Sequence, residues 1–222
     1  MINAIVNLTQ EGYFELNLPM LFTFIASYFF MYRKLGETRY PETKKVGLSC
    51  RIVSCLHAFL SCYGSYMYLT EQISYTEWSN KYIMISRMYI LYDIVMILLN
   101  FNFNELMHHI IFYAGMLATD REISRLVALG LFAEMTNFNL YFGWFLLTIG
   151  YNNTKIFKIN AFMLLVVYFV TRVINYGYLS YAIFNMFGFE FRYLIIPSLW
   201  FLNIHWFKTL VNKAINMYKV EN

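Results

Sequence analysis

The chain has 222 residues, 59% of them hydrophobic and only 14% charged, with a mean hydropathy of +0.47. Soluble domains carry roughly a quarter charged residues, so the composition excludes a water-soluble globule and leaves a polytopic α-helical membrane protein of one domain. The net charge of +4 decides little, and no nucleic-acid partner is expected.

In chain order, apolar runs separated by polar turns predict seven helices, at about 18–32, 46–70, 84–100, 105–119, 122–148, 158–184 and 192–217. The opening stretch MINAIVNLTQEGYFELN lacks the basic start and cleavage site of a secretory signal, so the first helix is expected to do the targeting. Pro19 stands at a helix start, where its missing N–H costs nothing. Pro41 marks the loop RKLGETRYPETKK. Cys50, Cys55 and Cys62 share the second run at spacings that make no metal site and read as plain buried thiols. The fourth run is short, rising ~21 Å against a hydrocarbon core of ~30 Å, and must tilt, re-enter or borrow flanking residues. Pro197 falls inside the last run and is expected to kink it.

Seven spans put the termini on opposite sides. One side then receives Arg33, Lys34, Arg39, Lys44, Lys45, Lys155, Lys158, Lys208, Lys213 and Lys219; the other receives Lys81, Arg121, Arg125 and Arg192. The positive-inside rule makes the richer side cytosolic, giving N-out and C-in. Asn7-Leu8-Thr9 is a glycosylation sequon on the outer side, whereas Asn152-Asn153-Thr154 falls in the cytosol and is expected to stay unmodified.

Ionisable groups are costly within a bilayer and usually face a bundle interior or a wet cavity. Here they are Arg51, His57, Arg87, Asp93, His108, His109, Glu134, Arg172 and His205. At ~1.5 Å per residue from the cytosolic end, Arg51, Asp93 and the histidine pair lie within ~10 Å, His57 and His205 near ~16 Å, and Glu134 and Arg172 near ~21 Å. Only Arg87 belongs near the outer end. Eight groups agreeing in depth imply one polar chamber opening to the cytosol. The competing reading is a set of helix-gluing pairs, Arg51–Asp93 and Arg172–Glu134, with the histidines bonded to neighbouring carbonyls.

Adjacent histidines on a helix point ~100° apart, so His108 and His109 are poorly placed to chelate one ion. The chain carries four histidines in all and no HExxH, CxxC, Gly-rich phosphate loop or GxSxG; no metal or cofactor is expected. An imidazole can still take a proton or carry an acyl group, with Asp93 or Glu134 to orient it. One histidine of the pair would then face the chamber while its neighbour supports the wall. The net charge suits anionic headgroups or an acyl-CoA phosphate.

The ordered segments SCRIVSCLHAFLSCYG (49–64), LYDIVMIL (91–98), ELMHHIIFYAGML (105–117), LFAEMTNFNLYFGW (131–144) and LWFLNIHWFKTLV (199–211) resemble the TLC (TRAM-LAG1-CLN8) domain family. The resemblance implies an N-terminal segment over 1–44 with its own membrane helix, a six-helix TLC domain over 45–217 and a tail over 218–222, in an endoplasmic-reticulum membrane. In the ceramide synthases of that family a His-His pair precedes a helix with two aspartates three apart. His108 and His109 match the pair, Glu134 stands for the first aspartate and Asn137 for the second. Asn137, with Cys50-Arg51 and His57-Ala58, looks more like the non-synthase branch, whose members influence membrane lipid composition. The resemblance thus implies a lipid-binding set of Arg51, His57, Asp93, His108, His109, Glu134, Asn137 and Arg172. The alternative is an acyl-CoA-dependent sphingoid N-acyltransferase using His108 or His109 with Asp93 and Glu134.

Overall fold

The computed structural model describes residues 17–36, 42–99, 103–117, 121–188 and 194–220. Asn7 and its sequon, Arg39, Pro41 and Arg192 lie outside the described residues. Seven helical stretches follow one another where the apolar runs predict them: α1 (Leu18–Gly36), α2 (Glu42–Leu69), α3 (Tyr75–Leu99), α4 (Phe103–Leu117), α5 (124–148), α6 (Lys155–Phe187) and α7 (Ile195–Val220). The described residues form the expected all-α membrane bundle, and α2, α3 and α6 are long and apolar enough to cross a bilayer by length and composition.

Local chemistry sets the helix ends. Asn17 Oδ1 accepts from the Met20 N–H at 3.0 Å, Ser74 Oγ accepts from the Glu77 N–H at 3.2 Å, and Thr154 Oγ1 accepts from the Phe157 N–H at 3.3 Å; each satisfies a first-turn donor with no partner inside its helix. Gly188, at φ +68°, closes α6 in a conformation that side chains resist. Pro197 departs from expectation. Because α7 begins at Ile195, the proline lies in the first turn, where no intrahelical N–H bond is lost and no kink is called for.

Helix packing closes a ring in which every neighbour is antiparallel: α2 against α3, α3 against α4, α4 against α7, α7 against α6, α6 against α5, and α5 back against α2. α1 stands outside the ring, on α2 and α3, with Phe24 between the rings of Tyr89 and Tyr92. The bundle is inverted relative to a soluble protein. Phe162, Phe169, Ile174, Tyr178, Tyr181 and Phe184 of α6 face outward, while Ser49, Ser54, Ser61 and Ser65 of α2 are buried. Small residues let helices approach in a solvent as apolar as their side chains. Gly64 shows how close: a Cβ built there would lie 2.1 Å from the Tyr82 ring. Polar links span the remaining joints. Arg87 donates to the Met116 carbonyl in the last turn of α4 at 2.6 Å, and Asn160 donates to the Asn139 carbonyl at 2.9 Å, joining α6 to α5.

Two of the ring helices are irregular where they meet. α5 tightens to a 3₁₀ turn over Phe132–Glu134, and α6 widens to a π turn over Phe169–Ile174. Carbonyls near such breaks must find partners inside a bilayer. Asn175 donates to the Leu129 carbonyl at 2.8 Å, Tyr176 to Gly130 at 3.4 Å, and Arg172 Nε to Ala133 at 3.2 Å.

Candidate functional site

The six ring helices enclose a cavity of about 530 Å³, within the range of pockets that bury a small ligand. All eight residues of the expected set, Arg51, His57, Asp93, His108, His109, Glu134, Asn137 and Arg172, border it. Every ring helix contributes to the lining, and α1 contributes nothing.

The deepest polar cluster lies at the helix breaks. Glu134 and Arg172 are both buried; the guanidinium Nη2 stands 3.7 Å from Glu134 Oε1. Arg172 is held by more than that charge: Nε also donates to Thr136 Oγ1 at 2.8 Å, and Nη2 to Asn137 Oδ1 at 3.4 Å. Asn137 completes the loop by donating to Glu134 Oε2 at 2.7 Å. The amide thus uses its oxygen toward the cation and its nitrogen toward the anion, which a second carboxylate could not do. His57 lies beside this cluster with its ring stacked on Tyr89 at 3.8 Å and its Nε2 hydrogen-bonded to Ser61 at 2.9 Å. Its Nδ1 is buried without a hydrogen-bond partner among the described residues, 3.7 Å from Glu134 Oε2.

The second cluster couples α3 to α4. His109 Nε2 lies 2.6 Å from Asp93 Oδ2, and its Nδ1 lies 2.8 Å from the Glu105 carbonyl. Both ring nitrogens therefore face acceptors, the Asp93 carboxylate at Nε2 and the Glu105 carbonyl at Nδ1. Tyr89 donates to the same Asp93 oxygen at 3.2 Å and meets Ser54 at 2.7 Å. His108 differs from its neighbour. Its ring is parallel to Phe112 and edge-on to Trp206, and its Nδ1 is buried with no hydrogen-bond partner among the described residues.

Toward the helix ends, Arg51 lies with its guanidinium carbon 3.9 Å above the Trp144 ring, while Nη1 donates to the Gly47 carbonyl at 2.9 Å. Among the described residues no three His, Cys, Asp or Glu side chains converge in a way that could hold a metal ion. Cys50, Cys55 and Cys62 are free and only partly buried.

Asp93 lies against His109, one of the carboxylate–imidazole contacts the sequence left open; of the two competing ion pairs, Arg172–Glu134 forms and Arg51–Asp93 does not among the described residues. Two sequence expectations need correction. His205 is exposed on the outside of α7 and does not border the cavity. Both histidines of the pair, instead of one, line the cavity. Sequence reasoning also missed Ser54, Tyr89, Thr136, Tyr141, Trp144, Tyr168 and Trp206, all of which border it. Uncharged and mostly aromatic, they carry no signal that separates them from lipid-facing neighbours.

Comparisons with curated proteins and with solved structures return no match. Residues 48–212 match the family model of the TLC (TRAM-LAG1-CLN8) domain. The match begins near the start of α2 and ends within α7, so it takes in the cavity-lining ring and leaves out α1. This chain belongs to the TLC-domain family of membrane proteins.

Proposed function

We propose that the chain is a lipid-handling protein of the non-synthase TLC branch, whose central cavity holds part of a membrane lipid and whose presence alters membrane lipid composition. The observation that carries this reading is a cavity of about 530 Å³ bordered by Arg51, Asp93, the histidine pair, Glu134 and Arg172 together with apolar side chains of Leu140, Leu164 and Trp206. A space of that size with both kinds of lining suits a ligand that carries a polar head and a chain. Asp93, Glu134 and Arg172 are already committed to one another or to His109, which leaves the cavity polar yet close to charge-balanced. By the basic-residue count the Arg51 end of the cavity faces the cytosol, N-out and C-in, in the endoplasmic reticulum.

The test is lipid analysis of cells expressing the chain against a His108→Ala/His109→Ala variant of equal abundance, with native mass spectrometry of both proteins from mild detergent. A lipid retained by the first and lost from the second, with a matching change in cellular composition, is the expected result. Identical lipid profiles and no retained lipid would refute the reading.

One observation favours a second reading, an acyl-CoA-dependent N-acyltransferase: the 2.6 Å Asp93–His109 contact supplies a carboxylate-oriented imidazole within the His-His pair. Asn137 weighs against it. Where the synthase motif has a second acid, this chain has an amide spent on Glu134 and Arg172, so no extra negative charge steadies a substrate ammonium. Purified protein given long-chain acyl-CoA and a sphingoid base is expected to form no ceramide; robust turnover would promote the enzyme.

A further inference from the structure

Arg51 is the cavity-lining arginine that makes no ion pair among the described residues, although Glu105 acts on it from farther off. Arg172 faces Glu134. No carboxylate of the described residues lies within ion-pair distance of Arg51, although Glu105 borders the same cavity, and its Nε and Nη2 have no hydrogen-bond partner among the described residues. An arginine left to itself in a bilayer would reach for the interface. This one is held in place. Trp144 lies under one face of the guanidinium at 3.9 Å, which favours the cation and fixes its plane. The Gly47 carbonyl takes Nη1 at 2.9 Å.

Gly47 makes that position possible. A Cβ built on it would stand 2.8 Å from Arg51 Nη1 and 3.4 Å from the Trp144 ring, so only glycine lets the guanidinium lie against the α2 backbone. With its plane set and one nitrogen occupied, the opposite edge, carrying Nε–H and Nη2–H, is a two-pronged donor beside the cavity. That fork matches two oxygens of one tetrahedral anion.

We propose that Gly47, Arg51 and Trp144 form a phosphate subsite at the edge of the cavity nearest the start of α2, so that the ligand taken there is a phosphate ester with an acyl chain. The inference rests on the lipid-binding reading above and adds the chemistry of the ligand's head. Two sources share that chemistry, the phosphodiester or phosphomonoester of a glycerophospholipid and the phosphates of an acyl-CoA. Neutral diacylglycerol lacks it, and a fatty acid offers a carboxylate instead.

The experiment measures binding of dioleoyl phosphatidic acid, oleoyl-CoA, dioleoylglycerol and oleate to the full chain in mild detergent, by native mass spectrometry with competition. The same set is run on Arg51→Gln and Gly47→Ala, each checked for folding by its melting profile. The unaltered chain is expected to bind at least one phosphate-bearing probe about tenfold or more tightly than dioleoylglycerol and oleate, as loss of a charge-assisted pair predicts. Arg51→Gln should bring the probes to parity. Gly47→Ala keeps the charge, suits the helix and displaces the guanidinium, so it should lose most of the preference. Retention of phosphatidic acid alone identifies a phospholipid head, and retention of oleoyl-CoA alone identifies the coenzyme. Equal binding of phosphate-bearing and phosphate-free probes by the unaltered chain would overturn the subsite while leaving the lipid cavity standing, as would a stronger preference for oleate. A phosphate preference that survives in Arg51→Gln would overturn the assignment to Arg51. Binding of none of the four would overturn the lipid cavity and the subsite together.

Discussion

Replacing Arg172 by Met should be among the most damaging single changes in the bundle. The guanidinium is 7% exposed and its partner Glu134 8%, so the substitution removes the cation nearest a buried carboxylate instead of a solvated one. Breaking a buried pair from one side costs about 3–5 kcal/mol, because the remaining charge has no water to return to. Other contacts go with it: Nε bonds both the Ala133 carbonyl and Thr136 Oγ1, although Thr136 also donates to that carbonyl at 2.8 Å and keeps it satisfied. At roughly 2–4 °C per kcal/mol for a chain of this size, the apparent melting temperature in detergent should fall by about 6–20 °C. Glu134→Gln should cost less, since Arg172 keeps Thr136, Ala133 and Asn137. The double variant Arg172→Met/Glu134→Gln removes both charges and should recover much of the loss. The assay is a double-mutant cycle read by thermal unfolding of purified protein. A double variant as unstable as Arg172→Met, or an Arg172→Met protein within about 1 kcal/mol of the parent, would show that the pair is not coupled as the distances suggest.

Asp93→Asn and His109→Gln should each lose about 1.5–3 kcal/mol, the range for hydrogen bonds to charged groups, and the double variant should cost little more than the worse single; simple additivity would refute the coupling of the pair. Gly64→Ala should destabilise by about 1–3 kcal/mol through overpacking, and Tyr82→Ala should rescue it only in part, since the Tyr82 Cβ itself stands 2.7 Å from the added methyl; full rescue, or no loss at all, would contradict the measured approach. Protease protection should put the segment between α1 and α2 in the cytosol and the N-terminus in the lumen, and a glycan on Asn153 would reverse that orientation.

Much of this bundle was readable from hydrophobic patterning, because a bilayer demands long apolar runs and the chain breaks them with polar turns. The same accounting of depth puts Arg51, Asp93, the histidines, Glu134 and Arg172 in the cytosolic two-thirds of the bilayer. What depth cannot supply is azimuth. Asp93 could be assigned to Arg51 or His109 with equal justice, and the choice depends on how α3 is rotated against α2 and α4. His205 was misread for the same reason, since it shares a depth with the cavity but points the other way. Pro197 was misjudged because helix boundaries, unlike helix cores, carry little periodic signal. The breaks in α5 and α6 left no mark at all: LFAEMT and FVTRVI read as ordinary apolar helix.

The π turn of α6 holds one residue more than a regular turn would, and this matters for how the chain tolerates changes of length. Removing Val170 would let Phe169–Ile174 rewind as α-helix, and because the wide turn already absorbs the extra residue, the helix beyond it would keep its facing. Asn175 would stay beside Leu129 and Tyr176 beside Gly130. The same loss in the regular helix before Phe169 would turn everything beyond it by ~100° and part the α6–α5 and α6–α7 joints together. The wide turn is thus a slack in the count of α6, placed where the helix meets α5.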